Sequence, residues 1–204
     1  MSGLRERKAR QVRTAIFDAM LALSEEQGYE ATTVEQVAAR AEVGTATVYR
    51  YFPTKDAILL APVADSVGAL AEAFAARPDT EDVRDSLAYA IETVLTRTAE
   101  SRAETLRLRA QLDVSPGPRA RLWDLWRQQR DLLETAIADR MGGGADSVWV
   151  SAAAHLTTTV LQLALDHDRS APSETGAVAY AQQVLDRLHG PDAPVPARLS
   201  RRRR

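Results

Sequence analysis

The chain has 204 residues, 45% of them hydrophobic, a formal net charge of −2 and no Cys. That length is enough to bury a sizeable core in one or two domains, and the absence of Cys excludes a disulfide framework, a thiolate metal site and a cysteine nucleophile. The first residues, Met-Ser-Gly-Leu-Arg-Glu-Arg-Lys, lack the apolar run of a signal peptide, and the weakly polar stretch 148–165 is interrupted by His155, Thr157, Thr158, Thr159 and Gln162. It reads as a buried packing helix and not as a membrane span, so a cytoplasmic protein without a membrane partner is expected.

The modest net charge hides a segregation. Residues 5–13 carry Arg5, Arg7, Lys8, Arg10 and Arg13 against Glu6 alone, whereas residues 57–197 hold 13 Arg against 20 acidic residues, a net of −7. The last residues add Arg198 and Arg201 to Arg204. A basic start ahead of an acidic body aims one end of the molecule at a polyanion and repels the other.

No strand pattern is visible, and the elements read as helices in chain order. The first is predicted over about 4–27, with Val12, Ile16, Met20 and Leu23 as its buried stripe and Gly28 as its left-handed cap. The second begins at Thr32 or Thr33, because Thr32 with Glu35 and Thr33 with Gln36 are both spaced as capping boxes. Its exposed N-terminal amides are expected to form a phosphate seat. A tight turn containing Val43 leads to a third helix in which Val48 and Phe52 recur four apart as core. Thr45, Thr47, Tyr49, Arg50 and Tyr51 stand between them, and hydroxyls, phenols and a guanidinium donate well to phosphate oxygens and base edges. This is a helix-turn-helix with a recognition helix.

Gly28-Tyr29, Ala31-Thr32-Thr33-Val34, Val37-Ala38 and the run Thr47-Val48-Tyr49-Arg50-Tyr51-Phe52-Pro53-Thr54-Lys55 resemble the TetR family of bacterial transcription regulators over roughly residues 10–60. Two departures stand out. Glu42 occupies a position where the family often has a turn glycine, and Gly44 and Ala46 stand where it often has Ser or Gly and a Gly. Gly44 still serves as an N-cap, without a side-chain oxygen. Arg5, Arg7 and Lys8 are expected to reach DNA as a flexible arm. Thr33, Tyr49, Tyr51 and Lys55 are expected at phosphates, Thr45, Ala46, Thr47 and Arg50 at base edges or the adjacent backbone, and Gly44 within the same DNA-binding set.

Pro53 ends the recognition helix and Thr54 caps a fourth, predicted over about 55–76 and either kinked or started late by Pro62. Further helices are predicted at about 80–99, 101–113, 117–141, 145–167 and 173–189, punctuated by Pro116-Gly117-Pro118, Gly142-Gly143-Gly144 and Ala171-Pro172-Ser173. These make about nine, three for DNA and six for a regulatory domain, as the TetR resemblance implies. The expected fold is therefore all-α. A helix-turn-helix domain with its basic arm covers 1–53, and a helical ligand-binding and dimerisation domain covers 54–189. A Pro/Arg-rich tail, disordered by composition, covers 190–204.

Trp123 and Trp126 lie three apart on one helix, and a cavity between helices lined by them, Trp149, Leu106, Arg109, Leu122, His155 and Thr159 is expected to take a small apolar or amphipathic effector. The segments 106–112 and 116–126 resemble the regulatory domains of TetR regulators thought to sense acyl-CoA-like or other amphipathic ligands. Core packing accounts for the tryptophans equally well. Asp166-His167-Asp168 is not a metal site, because consecutive helical residues point about 100° apart. No nucleophile elbow or phosphate-cradling glycine loop is present, so neither a cofactor nor catalysis is expected. The resemblance implies a homodimer joined by the last two helices, bound to a near-palindromic double-stranded DNA operator and released by the effector. A constitutive DNA-binding protein and a helical metal-dependent enzyme are the alternatives.

Overall fold

The computed structural model describes residues 2–142, 144, 146–170 and 176–194. Every regular element among them is an α-helix: α1 (Ser2–Gln27), α2 (Val34–Arg40), α3 (Thr45–Tyr51), α4 (Lys55–Leu59), α5 (Ala61–Asp65), α6 (Ala69–Ala75), α7 (Val83–Glu100), α8 (Arg102–Val114), α9 (Pro116–Met141), α10 (Ser147–Ser170) and α11 (Gly176–His189). The Arg-rich end of the tail, the centre of the Gly142–Gly144 run and the Ala171-Pro172-Ser173 break fall outside the described residues.

Local chemistry explains most boundaries. Gly28 ends α1 with φ +86°, a conformation that costs glycine nothing. Of the two candidate caps for α2, Thr33 is the one used: it accepts from the Gln36 amide at 3.3 Å while Gln36 Oε1 accepts from the Thr33 amide at 2.9 Å. Thr32 is buried instead, donating to the Gly28 carbonyl at 2.9 Å. Thr54 caps α4 through the Ala57 amide at 3.1 Å.

The fourth helix expected over 55–76 is three short ones. Pro62 lacks an amide hydrogen and its ring collides with the carbonyl four residues back, so α4 stops at Leu59 and α5 restarts with Pro62 in its first turn. A second break at Ser66–Gly68 precedes α6.

Two cores result. The first joins Ile16, Met20 and Leu21 of α1 to Val37 of α2, Val48 and Phe52 around α3, and Ile58 and Leu59 of α4. It continues into Leu108 and Leu112 of α8, with Leu122 and Leu125 of α9 against it, so the helix-turn-helix shares apolar packing with helices beyond residue 53. The second core gathers Leu70 and Phe74 of α6, Ile91 and Leu95 of α7, Leu133 and Ile137 of α9 and Val160, Leu161 and Ala164 of α10.

One buried arginine seals the corner between α6 and α7. Arg140 of α9, its side chain 5% exposed, donates to the carbonyls of Phe74 at 2.6 Å and Arg77 at 3.1 Å, and to Ser86 Oγ at 2.9 Å. Its guanidinium also covers the Phe74 ring at 3.8 Å. Beside it, hydrogen bonds from Arg77 and then Ser86 hold the Glu81 carboxyl down to about 2. The carbonyls at the end of α6 thus find partners that a helix terminus otherwise lacks. Arg140→Ala is expected to lower stability by about 3 kcal/mol, three hydrogen bonds at about 1 kcal/mol each. Urea denaturation followed by circular dichroism measures this, and a loss near zero would mean that the corner holds itself.

Candidate DNA interface and effector cavity

The recognition helix presents the expected side chains. Val48 is fully buried and Phe52 nearly so, which turns Ala46, Tyr49 and Arg50 outward and leaves Thr45, Thr47 and Tyr51 half-buried. Tyr49 is 51% exposed. Gly44 caps α3 without a side-chain hydrogen bond. Thr33 is exposed at the start of α2, although its hydroxyl oxygen already serves the cap. Arg5, Arg7 and Lys8 do not form a flexible arm: they are exposed side chains on the first turns of α1, which is helical from Ser2. Helix formation fixes these cations along one rod that ends in the first core. Arg13, counted with the basic cluster in the sequence, is committed elsewhere, pairing with Asp65 at 2.8 Å and lying 4.8 Å from the Phe52 ring.

Lys55 sits where α4 begins. Its Nζ lies 4.1 Å from the centroid of the Tyr29 ring and donates to the Glu30 carbonyl at 3.3 Å. Tyr29 is 5% exposed, and its hydroxyl donates to Asp56. Burial first, and the hydrogen bond to Asp56 second, push the phenol well above its ordinary range, so it remains a donor throughout neutral pH. Asp56 also accepts from Arg121 Nε at 2.9 Å. Residue order gives no sign that Tyr29, Asp56 and Arg121 form a group, because their contacts span 27 and 65 residues of chain.

The departure at Glu42 has a structural cost. Its φ is +54°, and the Val43 amide bonds the Ala38 carbonyl at 3.0 Å while the Glu42 amide bonds that of Ala39 at 3.2 Å. This is a Schellman ending for α2 with a glutamate at the position that favours glycine.

Among the helices that follow α4 lies a cavity of about 450 Å³. Its walls come from Val63 of α5, Thr98 of α7, Leu108 of α8, Leu122 and Trp126 of α9 and Leu165 of α10. Trp123 and Trp126 both border it in an edge-to-face pair, centroids 5.0 Å apart, with Trp123 61% exposed. Arg109 also lines it, but it is 16% exposed and paired with Asp166 at 3.0 Å, so its charge already has a partner.

Four residues expected in that lining are elsewhere. Leu106 borders a smaller neighbouring pocket of about 150 Å³. Trp149, His155 and Thr159 are exposed on α10 and absent from the cavity wall. The cavity takes Leu161, Gln162, Leu165 and Asp166 from α10; Trp149 lies on another face, whereas His155 and Thr159 share the stripe of Gln162 and Asp166 but stand toward the start of the helix, outside the stretch that borders the cavity. In the Asp166-His167 pair the neighbours diverge, Asp166 to Arg109 and His167 to a parallel stack on Tyr180 at 3.8 Å; the Asp168 side chain is outside the described residues.

Replacing Glu42 by glycine is expected to raise stability by about 0.5–1 kcal/mol, since relief of about 1–2 kcal/mol of left-handed strain exceeds an entropy cost of about 0.5–1 kcal/mol. Thermal melting measures it, and a lowered midpoint would reveal a stabilising contact of the glutamate.

Residues 16–61 match the family described as bacterial regulatory proteins, tetR family. The HTH-type transcriptional regulator TcmR of Streptomyces glaucescens is 36% identical over 102 residues, covering 50% of this chain and 45% of that protein. The HTH-type transcriptional repressor KstR of Rhodococcus jostii (strain RHA1) is 48% identical over 52 residues, 26% of this chain and 24% of that protein. The matches span less than half the length of either relative. Among solved structures, the fatty acid degradation regulator FadR from Bacillus halodurans superposes with a TM-score of 0.61 at 17% identity, covering 87% of this chain and 98% of that one. The transcriptional regulator FadR from Bacillus subtilis, in complex with stearoyl-CoA, gives a TM-score of 0.59 at 19% identity over 86% and 96% of the two chains. These relatives and neighbours are transcriptional regulators, not enzymes, and the low identities carry the shared fold alone. The N-terminal helices, residues 16–61, thus carry the pattern of the bacterial regulatory proteins of the tetR family, and the described helices of the chain share the fold of solved regulators.

Proposed function

We propose that the chain is a homodimeric, ligand-responsive transcriptional repressor of the bacterial cytoplasm that binds a near-palindromic operator. The observation that carries this reading is the pairing, within one fold, of a helix-turn-helix that displays Tyr49 and Arg50 with a 450 Å³ cavity among the helices that follow it. Arg5, Arg7 and Lys8 of α1 with Thr33, Tyr49, Tyr51 and Lys55 hold phosphates, while Thr45, Ala46, Thr47 and Arg50 read base edges or the neighbouring backbone. Gly44 admits close approach of the backbone, since nothing lies within 4 Å of where its Cβ would stand. Two copies of α3 occupy successive major grooves about 34–36 Å apart.

The effector is a small apolar or amphipathic molecule. The cavity supports this with its leucines and indoles beside Arg97, Arg109 and Arg119. The fold neighbour bound to stearoyl-CoA is consistent with an amphipathic class. The effector acts by preferring a conformation whose recognition helices no longer match the operator, and its influence is bounded by its differential affinity for the two states. The cavity favours this over a constitutive DNA-binding protein, for which a solid core would suffice.

The dimer forms through α10 and α11. Val148, Ala152, Leu156, Thr159 and Leu163 are exposed and recur at helical spacing on α10, with Val178 exposed on α11. By length and composition alone α10 is apolar enough to cross a membrane. Its other face carries Val150, Ala154, Leu161 and Ala164 into the second core, so a second copy is the natural cover for the outer stripe.

Duplexes selected from a random library by the purified protein should converge on an inverted repeat. On such a duplex, Tyr49→Ala with Lys55→Ala should weaken binding about tenfold or more and reduce the log–log salt slope by about 1, since only Lys55 neutralises a phosphate; unchanged affinity would remove these residues from the interface. Leu156→Asp should convert the dimer to a folded monomer in analytical ultracentrifugation, and a dimer that persists would place the contact elsewhere.

A further inference from the structure

Lysine at a phosphate is a flexible point charge whose four-carbon stem loses up to about 2 kcal/mol of rotamer freedom when held. Lys55 is already restrained before DNA arrives. Its ammonium lies 4.1 Å from the Tyr29 ring centroid and 3.3 Å from the Glu30 carbonyl. The Tyr29 ring is fixed in turn, buried on its sides and tied by its hydroxyl to Asp56 Oδ1. The second oxygen of the same carboxylate, Oδ2, accepts from Arg121 Nε at 2.9 Å. Arg121 belongs to neither DNA-facing helix. It stands in the second turn of α9, beside Leu122 and Trp123, which line the cavity.

We infer that Arg121 is a positioning residue for DNA binding: it holds Asp56, and through it Tyr29, so that the ring supporting Lys55 is tied to the helix that walls the cavity. This rests on the DNA-binding reading above and names a route by which that interface is regulated. Arg121 has two effects. It fixes the carboxylate geometrically, and it neutralises an acidic charge adjacent to a cation aimed at phosphate. Without it, Asp56 is free to attract the Lys55 ammonium and to repel the DNA backbone. A molecule pressing on Leu122 or Trp126 loads the same stretch of α9 and reaches Lys55 through two hydrogen bonds and one ring contact.

The test uses full-length protein and fluorescence anisotropy on a duplex that the unaltered protein selects from a random library. Asp56→Asn separates the inference from simple electrostatics. Removing a carboxylate near DNA should tighten binding if charge alone counts. If the bridge counts, binding weakens, because asparagine cannot accept from Tyr29 and Arg121 together: one of its two ends is a donor. Asp56→Asn and Arg121→Ala are each expected to weaken binding about fivefold and to reduce the log–log salt slope by roughly one, the share of a single phosphate contact. The double variant should be no weaker than either single one, and Arg121→Lys should restore part of the affinity. Glu25→Gln, which breaks the comparable tie from α1 to Arg107 (2.6 Å) without touching Lys55, should leave affinity within about twofold and the slope unchanged. Equal or tighter binding by Asp56→Asn at an unchanged slope would overturn the inference while leaving the DNA-binding reading intact. Failure of the unaltered protein to select any duplex would overturn both.

Discussion

Two helices of seven residues each, α2 and α3, make up the helix-turn-helix, and neither is long enough to persist alone in water. Their existence depends on burying Val37, Val48 and Phe52 against Ile16 and Met20 of α1. Everything displayed on the surface follows from that constraint. With Val48 and Phe52 pointing inward, Tyr49 and Arg50 must point out. The caps at Thr33 and Thr54 fix where the chain enters each short helix, contributing on the order of 1 kcal/mol apiece, but they cannot substitute for the core.

The same apolar packing makes the interface answerable to the rest of the molecule. Leu108 and Leu112 of α8 complete the core that supports the recognition helix, and three ion pairs run across the same junction: Arg107 to Glu25, Arg121 to Asp56 and Arg13 to Asp65. Exposed pairs of this kind add little to stability. Their value lies in direction, since each links one of the N-terminal helices, α1 or α4, to a helix near the cavity. The break at Pro62 contributes here as well. By interrupting what would be one long helix, it lets α5 turn Val63 and Asp65 toward the cavity while α4 stays packed against α1 and α9.

The helix-turn-helix is legible from residue order because its signals are local. A cap and its partner lie three residues apart, Val48 and Phe52 lie four apart, and Gly28 and Pro53 punctuate at single positions. Glu42 is recognisable as an oddity for the same reason, and its left-handed backbone shows why the position favours glycine. The cavity lining is only partly legible. Leu122, Trp123 and Trp126 belong to one helix segment and line the cavity together, whereas Trp149, His155 and Thr159, expected beside them, are turned outward by α10. Composition places a residue on a helix; which face meets which neighbour depends on how helices distant in sequence cross.

By itself the sequence determined an all-helical chain, a helix-turn-helix with its core and display positions, and a charge distribution with a basic start ahead of an acidic body. These arise from spacing and side-chain chemistry within a few turns. Only the tertiary structure decided that the fourth helix is three pieces, that the basic start is a rod, that Arg13 is engaged with Asp65, and that Lys55 rests on a ring tethered through Asp56 to α9. The last two outcomes depend on contacts between residues tens of positions apart, whose partners become fixed only when two cores close around the same junction.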